Sequence, residues 1–174
     1  MNRLDFMVLM AFLIAAAWMD IRSNRIPNTL VVAAALVGVA FSLTPTGIGS
    51  RDMAMGLVTG FALLLPCYAL GIMGAGDVKL LAMAGTFLGV KATLLAGVAT
   101  FAAGGILAIG YGLKSGVLVQ ALRNVWAFAR SAAMHLASGN APRIGDMPVT
   151  RVRLPYAVAV AVGVLVSQLA ADRF

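Results

Sequence analysis

The stretch that decides the fold is residues 53–90, MAMGLVTGFALLLPCYALGIMGAGDVKLLAMAGTFLGV. Its only charged side chains are Asp77 and Lys79. The apolar run before them, 53–73, is long enough as a helix to cross ~30 Å of hydrocarbon. The run after them, 78–90, is shorter, since residues 80–90 rise only ~16 Å at about 1.5 Å per residue. The stretch therefore reads as two apolar segments that meet at a polar point. The second of them is either a short helix, with Lys79 and Lys91 reaching outward, or a re-entrant segment.

Working outward, four more apolar runs appear, at about 4–19, 29–43, 92–113 and 154–171. Of the 174 residues, 61% are hydrophobic, 11% are charged, and mean hydropathy is +0.97. A soluble domain carries about 25% charged residues. Composition and runs together predict an all-α membrane protein: a polytopic bundle of about six transmembrane helices forming one domain over 1–174. With six crossings and the N-terminus outside, inner segments hold nine basic residues, among them Arg22, Arg25, Lys79 and Lys114. Outer segments then hold four, Arg3, Arg51, Lys91 and Arg173. If 78–90 failed to cross, the bias would invert, so the positive-inside rule favours six spans with both termini outside. Arg3 before an apolar run and Ala15-Ala16-Ala17 also fit a signal peptide, but Asp5 and five further runs argue for a retained helix.

The only long polar connection is 114–153. Within 117–138, Gln120, Asn124, Ser131, His135 and Ser138 fall near one helical face, which predicts an amphipathic helix in the cytoplasmic interface. The net charge of +7 suits anionic headgroups rather than nucleic acid, for which no reading helix or stacking platform is present. Cys67 and His135 are the single residues of their kinds. One chain therefore offers no disulfide and no structural zinc site, and no cofactor is expected.

All six acidic residues are Asp. Asp5, Asp52, Asp146 and Asp172 lie at chain ends or in polar loops. Asp20 and Asp77 instead border apolar runs, and the charge bias puts both at inner helix ends, at one depth. An ionised Asp at mid-bilayer costs ~2.5–3.5 kcal/mol on insertion scales, so an acid placed there is a functional candidate. Two close carboxylates do not both ionise cheaply, and they share a proton. One then serves as general base toward water and the other as general acid toward a carbonyl or leaving amine. Spacing alone supports a structural role equally well, with Asp20 as a helix-end anchor and Asp77 paired to Lys79.

The flanking residues carry a resemblance. Asp20-Ile21-Arg22-Ser23-Asn24-Arg25-Ile26-Pro27-Asn28 resembles the D-x-R-x-x-x-I-P-N signature of type IV prepilin peptidases. Gly74-Ala75-Gly76-Asp77-Val78-Lys79 resembles their G-x-G-D-x-K signature, and Leu154-Pro155-Tyr156 is more weakly similar to a family feature. The resemblance runs from about Met19 to the last span. It implies a GxGD membrane aspartyl protease with Asp20 and Asp77 as the catalytic pair. Gly74, Gly76, Lys79, Arg22, Pro27 and Asn28 would support it. The implied partners are prepilins or pseudopilins with a basic leader and an apolar N-terminal helix, cut at the cytoplasmic face of the bacterial inner membrane. Larger members carry paired CxxC motifs and also methylate the new N-terminus. This chain begins with the first motif-bearing helix and has one Cys, which resembles the short, cleavage-only form of Flp/Tad-type pilus systems.

Two rivals use other chemistry. A serine protease built on Ser115 lacks the Gly that GxSG requires at residue 113, and has only His135 as a base. A small transporter or channel subunit would use Asp20 and Asp77 for proton or cation binding. It gives no reason for the glycines around Asp77 or for the Arg22–Asn28 sequence.

Overall fold

A computed structural model of the chain describes residues 2–69, 73–116 and 155–171, together with Arg123, Trp126 and Arg130. Regular structure among them is helical: α1 (Arg3–Ser23), α2 (Asn28–Ser42), α3 (Ser50–Ala69), α4 (Ala75–Ser115) and α5 (Tyr156–Ala171). Among the described residues, three helices are long and apolar enough to cross a membrane, Arg3–Ser23, Ser50–Ala69 and Ala75–Lys114; α2 and α5 are shorter apolar helices. By packing, the chain divides into two units, Met1–Gly105 with Pro155–Phe174, and Ile106–Leu154. The first unit carries every candidate site residue. The amphipathic helix expected over 117–138 and the loop with Asp146 lie outside the described residues, except that Arg123, Trp126 and Arg130 are helical and exposed.

Each helix turns one stripe inward. In α1, Leu9, Leu13, Ala16 and Asp20 are buried at spacings of three and four, while Leu4, Met7, Ile14, Trp18 and Ile21 face outward. That is the 3.6-residue period of a helix with one packed face. The outward side chains are as apolar as the inward ones, as lipid contact permits. The start of α4 differs. Val78, Leu80, Leu81, Ala82, Met83, Ala84, Phe87 and Leu88 are all buried, so this segment is covered on every side. Buried hydroxyls bond back to their own helices: Thr86 to the Met83 carbonyl (2.7 Å), Thr93 to Gly89 (2.6 Å), Thr100 to Ala96 (2.7 Å) and Ser167 to Val164 (2.8 Å). Among the described residues, no buried side-chain donor is then left without a partner.

α4 is not one rod. Gly89 has φ 70° and ψ −178°, which breaks the helix into two arms, 75–88 and 90–115. Neighbours show that the chain reverses there. A Cβ on Gly97, eight residues after the break, would stand 3.6 Å from the Leu81 side chain, eight residues before it, and would strike Leu63 of α3. The run 78–90 and the part of the next run up to Gly105 are thus two packed arms of a hairpin, turned two residues before the boundary that Lys91 suggests. α3 runs antiparallel to the first arm. Gly56 faces Gly85 and Gly60 faces Leu81, with the backbones touching: a Cβ on Gly56 would strike the Gly85 carbonyl oxygen, and the reverse also holds. Small residues at such crossings let helices associate by close packing where no hydrophobic drive exists.

At Gly89 there is room for a side chain, since an added Cβ would meet nothing closer than 3.7 Å. The obstacle is the backbone, in a region that only glycine occupies freely. Gly89→Ala is expected to cost about 1–3 kcal/mol, read as a lower melting temperature in detergent.

Two boundaries differ from expectation. α1 runs on past Met19 to Ser23, because Asn24 closes it in the left-handed conformation (φ 50°, ψ 34°) with its N–H donating to the Asp20 carbonyl at 2.8 Å. Asp20 therefore lies inside the last turn of α1 rather than after it. α3 begins at Ser50 and is described only to Ala69.

Candidate active site

Asp77 is the third residue of α4. Gly74 immediately precedes that helix, and its N–H donates to Asp77 Oδ2 at 3.2 Å, while the Asp77 N–H donates to the Gly74 carbonyl at 3.2 Å. This is the return half of a capping box, with Asp at the position usually held by Glu or Gln. It satisfies one donor at the helix start and places the carboxylate at the positive end of the helix dipole. A Cβ on Gly74 would stand 3.3 Å from Asp77 Oδ2, so glycine is the residue that lets carboxylate and backbone meet.

Asp20 is held in the same manner by a different helix. The N–H of Ala157 donates to Asp20 Oδ2 at 3.2 Å, across 137 residues of sequence. Ala157 is the second residue of α5, and its N–H is one of the donors that a helix start leaves without an intrahelical partner. Each carboxylate thus has its Oδ2 anchored to a backbone amide at a helix start. Asp20 is 7% exposed and Asp77 8%. The two lie within electrostatic reach of each other, and Tyr156 lies within reach of Asp77. The Tyr156 ring fills the space that a side chain on Gly104 would take.

Other candidates form a bridge from the 24–28 segment to the start of α4. A Cβ on Gly76 would meet Ile26 at 3.3 Å. Lys79 Nζ donates to Asn28 Oδ1 at 3.1 Å. Pro27 sits one residue before α2 (φ −63°, ψ 131°), with its ring exposed. Arg22 and Arg25 are exposed near the α1 end. Sequence reasoning missed the Ala157 amide, because a backbone donor has no letter of its own; Pro155-Tyr156 marked only where a helix would begin.

The model of the type IV leader peptidase family matches residues 7–109. A prepilin leader peptidase/N-methyltransferase from Pectobacterium carotovorum subsp. carotovorum is 31% identical over 93 residues. That match covers 49% of this chain and 33% of the relative, so the shared region spans about a third of the relative's length. No solved structure matches the chain.

Proposed function

Because the chain belongs to the type IV leader peptidase family, we propose that it is an aspartic endopeptidase that removes leaders from prepilin-like substrates, with Asp20 and Asp77 as the catalytic pair. One observation carries the reading. Two buried carboxylates from different helices lie within electrostatic reach, each oriented by one backbone N–H.

Anchoring Oδ2 leaves Oδ1 of each group for chemistry. The ionised carboxylate takes a proton from water as the water oxygen attacks the scissile carbonyl carbon. The protonated partner gives its proton to the carbonyl oxygen. The tetrahedral intermediate then collapses: one of its hydroxyls returns a proton to the partner carboxylate as the C=O re-forms, the C–N bond breaks, and the amine leaves with the proton that the base took from water. A burial of nine-tenths for both groups keeps them in a low-dielectric setting, where sharing one proton is favoured over two charges.

In this proposal six helical segments cross the inner membrane, the two arms of α4 counting separately, with both termini outside. Asp20, Asp77 and the α5 start then share the cytoplasmic end. The substrate's apolar helix packs beside the bundle in the membrane plane, and its leader stays at the headgroups. Arg22 and Arg25 meet anionic lipid there. The proposal covers leader cleavage and not N-methylation.

The test is incubation of detergent-purified protein with a synthetic prepilin. One cut between leader and apolar helix is expected. Proton or cation flux in liposomes, with no cleavage, would overturn the reading in favour of a transporter. A finer check addresses the α5 amide. Ala157→Pro deletes the N–H that holds Asp20 in the first turn of α5. Loss of a hydrogen bond to a charged group, worth about 1.5–3 kcal/mol, should lower cleavage about 10- to 100-fold. Ala157→Gly keeps the N–H and should stay near wild type.

A further inference from the structure

We propose that Lys79 and Asn28 form a positioning latch that fixes the depth of Asp20 relative to Asp77. The inference rests on the peptidase reading above and assigns a role that charge anchoring at headgroups does not.

Asp20 and Asp77 belong to different helices, so something must hold one helix end in register with the other. Asp20 lies four residues before Asn24, which caps α1, and Asn28 opens α2. The connection between these helices is short and closed at its start by the Asn24 N–H donating to the Asp20 carbonyl at 2.8 Å, while Ser23 Oγ donates to the Met19 carbonyl at 2.7 Å with the Arg25 carbonyl oxygen 3.3 Å away. Pro27 fixes its own φ at −63°. Whatever seats residues 24–28 therefore seats the last turn of α1 as well.

Two contacts seat them on the Asp77 segment. Ile26 packs on Gly76, whose missing side chain leaves the space. Lys79 Nζ donates to Asn28 Oδ1 at 3.1 Å, joining residues 51 apart. Lys79 is two residues beyond Asp77, on the same helical turn, and Asn28 is eight beyond Asp20. The bond thus links the two motif segments directly. Its acceptor is neutral, so the ammonium keeps its charge without cancelling it, and a pure charge anchor would not need an amide oxygen at this point. Neither residue touches the carboxylates through a bond the structure shows. Both act through the helix ends that carry them.

The test is a double-mutant cycle on cleavage kinetics, with the full chain in detergent, in vesicles of neutral lipid and in vesicles that contain anionic lipid. Lys79→Met and Asn28→Ala should each lower kcat about five- to tenfold with little change in KM, and the double variant should be no worse than either single. Lys79→Arg and Asn28→Asp keep a donor and an acceptor and should restore most of the rate. Additive losses in the double variant would overturn the latch. So would a Lys79→Met defect that appears only with anionic lipid and is absent from Asn28→Ala, which is the signature of a headgroup anchor. Asp20→Asn runs beside them as a control. An active wild type with a dead Asp20→Asn and an additive cycle removes the latch alone, whereas Asp20→Asn at wild-type rate removes the paired-carboxylate reading beneath it.

Discussion

Asp20→Asn and Asp77→Asn, made separately, are each expected to lower prepilin cleavage by about 10²- to 10⁴-fold, the usual contribution of one positioned acid or base. The substitution isolates chemistry from architecture. An Asn side chain keeps an oxygen that accepts the same backbone bond, from Ala157 N–H at Asp20 or from Gly74 N–H at Asp77. That bond turns the amide nitrogen toward the place where the reacting water and carbonyl belong. The nitrogen neither takes a proton from water nor surrenders one to an oxyanion at neutral pH. Folding should therefore survive, seen as an unchanged melting temperature, while turnover falls. Because the two groups act as a unit, the double variant should be scarcely slower than either single one. Cleavage near the wild-type rate in either single variant would remove the paired-carboxylate mechanism.

Gly85→Val should have an effect of similar size on the fold instead. The crossing of α3 with the first arm of α4 is backbone on backbone, and a Cβ at Gly85 strikes the Gly56 carbonyl oxygen. Neither neighbour is a flexible side chain that could swing away, so the helices must separate. Overpacking a well-filled site costs typically 1–3 kcal/mol, and a rigid backbone obstacle puts this one at about 3 kcal/mol or above. Separation also carries the rest of the first arm away from α3. The measurement is thermal unfolding in detergent, with a fall of roughly 5–10 °C expected. Gly105→Val is the matched control, since nothing lies within 4 Å of a Cβ there, and it should stay within about 0.5 kcal/mol of wild type. Equal stability of the two variants would refute the close crossing.

What the sequence discloses and what it hides divide along physical lines. Apolar runs disclose helices, because membrane-embedded backbone must satisfy itself and has few ways to do so. Two acids beside such runs stand out for the same reason, as charge there is costly. The end of α1 is less legible. Polar residues from Asp20 onward suggest a stop, yet the helix continues until Asn24 adopts the left-handed conformation. The reversal in α4 is half legible: the short run 78–90 and Lys91 announce an interruption, but the turn falls at Gly89, where φ is positive. Long-range pairings were not legible at all. Nothing in the letters around Lys79 names Asn28, and nothing around Asp20 names the amide of Ala157, since both partnerships exist only after helices pack.

That last partnership sets an order of assembly. Asp20 leaves the ribosome first, Asp77 follows, and the amide that orients Asp20 is made 137 residues after it. A nascent chain carrying both acids but not yet the start of α5 has its chemistry without its geometry. In the proposed peptidase, the full orientation of Asp20 is therefore reached only once the start of α5 has been made and packed.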